Sequence, residues 1–146
     1  MKNIYRAASV TTLIISALVV LFNYWEIGDE IPIHFNASGE PDDYGSKSTL
    51  WILLAIEIGV FLMIDYFSKR PEIANTLVKI TDKNKAKQYD LITALLHQTN
   101  LLCALLFLII IHQIFNPITP NYFIHVIIGL MFFVIIVYIV RSLQNK

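Results

Sequence analysis

The sequence predicts an all-α integral membrane protein: a four-helix bundle with an extended outer loop between its first and second spans. Three observations predict it. Hydrophobic residues fill 56% of the 146 positions and charged residues only 15%, whereas a soluble domain is roughly 45–50% apolar and about a quarter charged. The apolar residues are gathered into four long runs, separated by polar segments that hold most of the charge. Lysines and arginines are segregated too, a pattern that the formal net charge of zero hides.

The four runs extend roughly from Ala7 to Tyr24, Thr49 to Phe67, Leu91 to Phe115 and Tyr122 to Val140. Each is long enough for the ~30 Å hydrocarbon core, which takes about 20 apolar residues. The first follows Lys2 and Arg6, as the core of a signal peptide would. The residues after it, Phe22, Asn23, Tyr24 and Trp25, are bulky where cleavage needs small side chains, and no lipobox cysteine is present. It reads as a retained helix. With the N-terminus in the cytosol, Lys2, Arg6, Lys69, Arg70, Lys79, Lys83, Lys85, Lys87, Arg141 and Lys146 are all cytosolic, and Lys47 alone is outside. Such a split places both termini in the cytosol. The single Cys103 lies inside the third run, which excludes an intrachain disulfide and a paired-thiolate zinc motif.

Between the first two runs, the segment 25–48 carries Glu26, Asp29, Glu30, Glu40, Asp42 and Asp43 against Lys47. Ile31, Ile33 and Phe35 alternate with Pro32, His34 and Asn36, a short strand-like pattern with one apolar face. Pro32 confines it to an edge strand or an extended segment. The following Gly39-Glu40-Pro41-Asp42-Asp43-Tyr44-Gly45 is dense in turn formers, with Gly39 and Gly45 free to take positive φ. This segment is expected to pack over the mouth of the bundle with His34 close to Asp42. Asn36-Ala37-Ser38 matches a glycosylation sequon, a short and unspecific pattern.

After the second run, residues 68–90 are basic. Pro71 ends the helix, and Thr81-Asp82 offers an N-cap for a helix leading into the third span. Lys83, Lys85 and Lys87 lie just below the membrane, where a lysine can add ~1 kcal/mol of attraction to anionic lipid, but they read first as ordinary positive-inside charge. Residues 116–121, with Pro117 and Pro120, leave room only for a tight hairpin, so spans three and four are antiparallel neighbours. No internal repeat or low-complexity stretch is present.

Glu57 lies near the middle of the second span. A carboxylate at that depth costs at least ~2.5–3.5 kcal/mol, so it should face the bundle interior. Thr93, His97 and Asn100 share one face of span three, and Ser9, Thr12, Ser16 and Asn23 form a stripe along span one. Glu57, His97 and Asn100 make a candidate intramembrane polar site, with Thr12 and Ser16 in reach. One reading is a proton relay or ligand site. The other, favoured because no second acid pairs with Glu57, is interhelical hydrogen bonding that holds the bundle. Asp65 is expected at the interface or beside His97. Span four is apolar all round and reads as peripheral.

His34, His112 and His125 fall on the outer side, and with Asp42 they form a conceivable N/O metal set. Their spacing matches no zinc signature and HExxH is absent, so they read as interfacial histidines. No nucleophile elbow, phosphate-cradling loop or dinucleotide fingerprint occurs. No catalytic or metal-ligating residue and no cofactor is therefore assigned. Nucleic-acid binding is not expected of a short basic segment that lies against a membrane.

The stretch IPIHFNASGEPDDYGSKSTLW, residues 31–51, resembles the diagnostic segment of a bacterial membrane family known as domain of unknown function 1648. Pro32, His34, Phe35, Asn36, Gly39, Asp42, Ser46 and Lys47 carry the likeness. Arg70-Pro71-Glu72, Val78-Lys79-Ile80-Thr81, Asn84 and Gln88-Tyr89 are similar to that family's region after span two. The resemblance divides the chain into a family-like region at 1–90 and a C-terminal transmembrane hairpin at 91–146, and it implies a bacterial cytoplasmic membrane. In longer relatives the domain precedes the region of SdpI-like proteins, implicated in immunity to a secreted toxic peptide. It implies a sensor or protective protein whose recognition motif is Pro32, His34, Asn36, Gly39, Asp42 and Lys47, acting on a protein or peptide partner. The rival readings are a membrane-embedded enzyme or metal-binding protein, a proton-coupled transporter enclosed by homo-oligomerisation, and a structural subunit of a transporter complex.

Overall fold

The computed structural model describes residues 2–36, 38–117 and 122–146. In chain order these form α1 (Lys2–Asn23), β1 (Glu30–Phe35), β2 (Pro41–Ser46), α2 (Thr49–Ser68), a 3-10 turn (Pro71–Ile73), α3 (Lys85–Phe115) and α4 (Tyr122–Gln144). All four α-helices are long and apolar enough to cross a membrane. The expected four-helix bundle is present, and this is a multi-pass membrane protein. Large side chains such as Phe22, Ile52, Leu62, Phe132 and Phe133 are exposed along the helices. Water would penalise that surface, whereas hydrocarbon accepts it.

The central helix is α3, packed against α1, α2 and α4. Its 31 residues span roughly 46 Å, more than the hydrocarbon core, so its first turns project beyond the span expected from Leu91. The turn ahead of it is built by Thr81 and Asn84. The Thr81 N–H donates to Asn84 Oδ1 at 2.8 Å, the Asn84 N–H to Thr81 Oγ1 at 3.4 Å, and the Lys85 N–H to the Thr81 carbonyl at 2.9 Å. That reciprocal exchange is capping-box chemistry at the predicted Thr81, although the regular helix is counted only from Lys85. The helix α4 leans on α3, and Ile127 and Ser142 are its only buried residues among those described, as expected of a peripheral span. The tight connection expected between them falls on residues 118–121, outside the described residues, as does Ala37 of the sequon.

Between α1 and α2 the chain folds into an antiparallel hairpin of β1 and β2. Two expectations are corrected here. Residues 41–46, read as turn formers, are a strand: their side chains are mostly exposed and polar, so no alternation betrays them. The single apolar face also fails to form. The register pairs Pro32 with Tyr44 and His34 with Asp43, skipping Ile33. This bulge breaks the two-residue period, so Ile31 and Pro32 are both buried while Ile33 is exposed. Ile33 lies over Gly45, where an added Cβ would stand 2.9 Å from its Cδ1. A side chain at Gly45 would have to displace Ile33, so Gly45 matters here for space and not for positive φ; Gly39 alone of the two has φ of 83°.

A hydrophobic core joins the hairpin to the bundle. Ile31 packs with Val20 of α1, Leu50 and Leu54 of α2, and Ile111 and Ile114 of α3. Below, this side is called the hairpin end. The opposite side, which carries both chain termini, is called the terminal end.

Candidate functional site

Four of the six motif residues build the hairpin and two are presented by it. Asn36 organises the turn: its Oδ1 accepts the Ser38 N–H at 2.9 Å and the Glu40 N–H at 3.0 Å, and its Nδ2 donates to Glu40 Oε2 at 3.1 Å. Such side-chain mimicry of a turn is what Asn supplies best. Gly39 takes the left-handed conformation that closes the turn, and its carbonyl accepts Gln113 Nε2 of α3 at 3.3 Å. Pro32 is buried in β1. Lys47 secures the strand ends: its N–H donates to the Asp29 carbonyl and its Nζ lies 2.9 Å from Asp29 Oδ1. The Lys47 ammonium also sits 5.3 Å from the centre of the Tyr24 ring, which packs on Trp25 and Trp51. Such aromatic clusters sit at membrane–water boundaries. His34 and Asp42 remain, paired across the strands at 2.5 Å between Nδ1 and Oδ1, with side chains 66% and 43% exposed. The expected seating of the hairpin and the closeness of this pair are both present.

The intramembrane residues divide differently from expectation. Glu57 is buried at 2% exposure and accepts a hydrogen bond from Ser16 Oγ at 3.1 Å, which ties α2 to α1. Asn100 does not reach the carboxyl group. Its Nδ2 donates to the Phe61 carbonyl at 3.3 Å, one turn further along α2. His97 is buried on α3, one turn from Asn100. Thr12 and Ser9 bond back within α1, to the Ala8 carbonyl at 3.0 Å and the Tyr5 carbonyl at 2.8 Å. Short hydroxyl side chains in helices close on the preceding turn in this way, which removes Thr12 from the expected set. The second carboxyl oxygen of Glu57 has no hydrogen-bond partner among the described residues.

The terminal end holds two polar clusters. Asp65 lies between Arg6 Nε at 2.7 Å and Lys69 Nζ at 2.6 Å, so it is an interfacial residue that joins α1 to α2. Gln88, fully buried, donates through Nε2 to the Ser142 carbonyl at 3.0 Å and the Asn145 carbonyl at 2.8 Å. Its Oε1 accepts the Ser142 hydroxyl at 2.8 Å. Sequence reasoning missed this clamp and also Gln113. The available signal was the same for both, a single amide on a helix face that otherwise turns apolar residues inward. His112 and His125 are exposed. Among the described residues no group of three or more His, Cys, Asp or Glu side chains is placed to hold a metal ion.

Residues 11–58 match the family model described as Domain of unknown function (DUF1648). This is the family that the hairpin motif resembles. The match takes in most of α1, the whole hairpin and the first half of α2, about a third of the chain. Both motif strands and both members of the Ser16–Glu57 bond lie inside it. No curated protein and no solved structure matches the chain.

Proposed function

We propose that this is a sensor or protective protein of a bacterial cytoplasmic membrane, with both termini in the cytosol. In this reading the hairpin is the outer recognition surface for a protein or peptide, and the basic segment 68–90 carries the response on the other side. Residues 1–90 form the recognition region, and the hairpin of spans 91–146 supports it. The observation that carries the reading is the construction of the hairpin. Pro32, Asn36, Gly39 and Lys47 hold it, and its core is shared with three helices, so a disturbance of His34 or Asp42 has a packed route into the bundle. The protective half of the reading rests on the resemblance of the hairpin motif alone, since the match covers only residues 11–58.

Site-specific photocrosslinking in intact cells tests it. A photoreactive residue replacing Tyr44, which is 57% exposed on β2, should capture a discrete envelope or secreted polypeptide. The capture should fall when His34→Ala and Asp42→Asn are added. The same probe at the lipid-facing Ile58 should not capture it. No hairpin-specific product under any condition in which the gene is expressed would sink the recognition role.

The unpartnered oxygen of Glu57 favours a second reading, an intramembrane proton or ligand site. Ordinary interhelical bonding accounts for the other oxygen.

A further inference from the structure

Between α3 and α4, at the terminal end, a groove of about 300 Å³ opens on the side of the bundle. Leu91 and Leu95 of α3 form one wall and Phe133 and Val137 of α4 the other, with the polar side chains of Gln98 and Tyr138 also lining it. Arg141 stands at the end nearest the terminus of α4. From Phe133 to Arg141 the groove follows α4 for roughly 12 Å, close to the ~15 Å depth of one leaflet. Arg6, Lys47 and Lys69 each have a carboxylate partner and Arg70 lies over the Tyr66 ring, whereas Arg141 is the cation that lines this groove. The Arg141 side chain is exposed and has no ion pair among the described residues.

We propose that this groove binds one anionic glycerophospholipid from the leaflet at the terminal end. One acyl chain lies along the apolar walls, and the phosphate meets the Arg141 guanidinium. A planar guanidinium pairs with phosphate oxygens through two parallel hydrogen bonds. An unneutralised cation at the mouth of an apolar cleft selects a lipid of net negative charge, since a zwitterionic lipid brings a second cation to the same place. The site does not depend on the function proposed above.

Native mass spectrometry of the purified full chain in detergent tests the site, with phosphatidylglycerol, phosphatidylcholine and glycerol phosphate as separate probes. Phosphatidylglycerol should bind as a single retained copy and in preference to phosphatidylcholine. Arg141→Gln should weaken that binding on the order of tenfold. Ala94→Phe, which fills the groove and leaves the charge, should weaken it comparably, with helix content checked by circular dichroism. Val134→Phe, on the facing wall, replaces that variant if Ala94→Phe fails to fold. Unchanged binding by the groove-filling variant, or equal retention of the two lipids, would overturn the site in favour of a nonspecific lipid ring. Glycerol phosphate bound as tightly as the lipid would overturn the acyl-chain component and leave a plain phosphate site.

Discussion

Glu57 concentrates the conflict between architecture and function in one side chain. It is buried more deeply than most of the apolar core, yet among the described residues only one of its oxygens is bonded, to a hydroxyl on another span. Replacement by Gln keeps the shape and an oxygen acceptor for Ser16 while removing the titratable proton. If the residue is structural, the Gln variant should melt with the parent in detergent and keep the hairpin-dependent crosslink. Leu removes the acceptor and with it the only bond between Ser16 and α2 among the described residues, and stranding the fully buried hydroxyl costs about 1–3 kcal/mol. That loss should appear as a lower thermal midpoint. A Gln variant that folds like the parent but loses the crosslink would instead establish Glu57 as a proton or ligand site. The sequence made Glu57 and Ser16 legible because depth and helical stripe are both positional. It did not separate Thr12 and Asn100 from them, because whether a short polar side chain bonds its own helix, a backbone carbonyl or a carboxyl group is settled by packing.

At the scale of elements, the spans were legible and the hairpin only half so. An apolar run of membrane length identifies itself, and the helix expected to lead from Thr81-Asp82 into the third span is present, its regular part beginning a few residues later at Lys85. The strand β1 announced itself by alternation, but the bulge at Ile33 broke the face that the alternation implied. The strand β2 had no signal of its own: it pairs with β1 along its length, and Gly45 leaves room for Ile33. The partners of Gln88 were not legible for a related reason, since they lie more than fifty residues away on α4, although the lone amide on its helix face was a signal that it had some. Its role yields a direct test. Gln88→Leu preserves bulk but removes three hydrogen bonds at a fully buried position and strands their partners. It should lower stability by about 1–3 kcal/mol and expose the C-terminal turn of α4 to limited proteolysis. A Gln88→Leu variant with an unaltered thermal midpoint and cleavage pattern would show that the clamp contributes nothing to holding α4.

For the whole molecule, the remaining question is which end of the bundle faces out. The hairpin end carries one cation, Lys47, which is already paired with Asp29, while the other ten lysines and arginines belong to segments at the terminal end. Charge asymmetry of that degree directs insertion with the basic end retained in the cytosol. Cysteine labelling in intact cells measures the outcome, in a Cys103→Ala background so that the native thiol contributes nothing. The reporter positions must be accessible on whichever side they lie. Ser46 at the end of β2 is exposed, whereas Asn84 is buried among Thr81 and the Lys79 carbonyl and would hide a thiol on either side. Asp82, exposed in the same turn, is the proper counterpart. Ser46→Cys should react with a membrane-impermeant maleimide in intact cells, and Asp82→Cys only after the membrane is opened. Reaction at Asp82 alone in intact cells would invert the bundle, turning the hairpin into a cytosolic element and removing the basis for an outer recognition surface. Reaction at both would mean that the chain inserts in two orientations. The groove beside Arg141 would keep its chemistry in either case, because it is defined by its end of the bundle and not by the compartment beyond it.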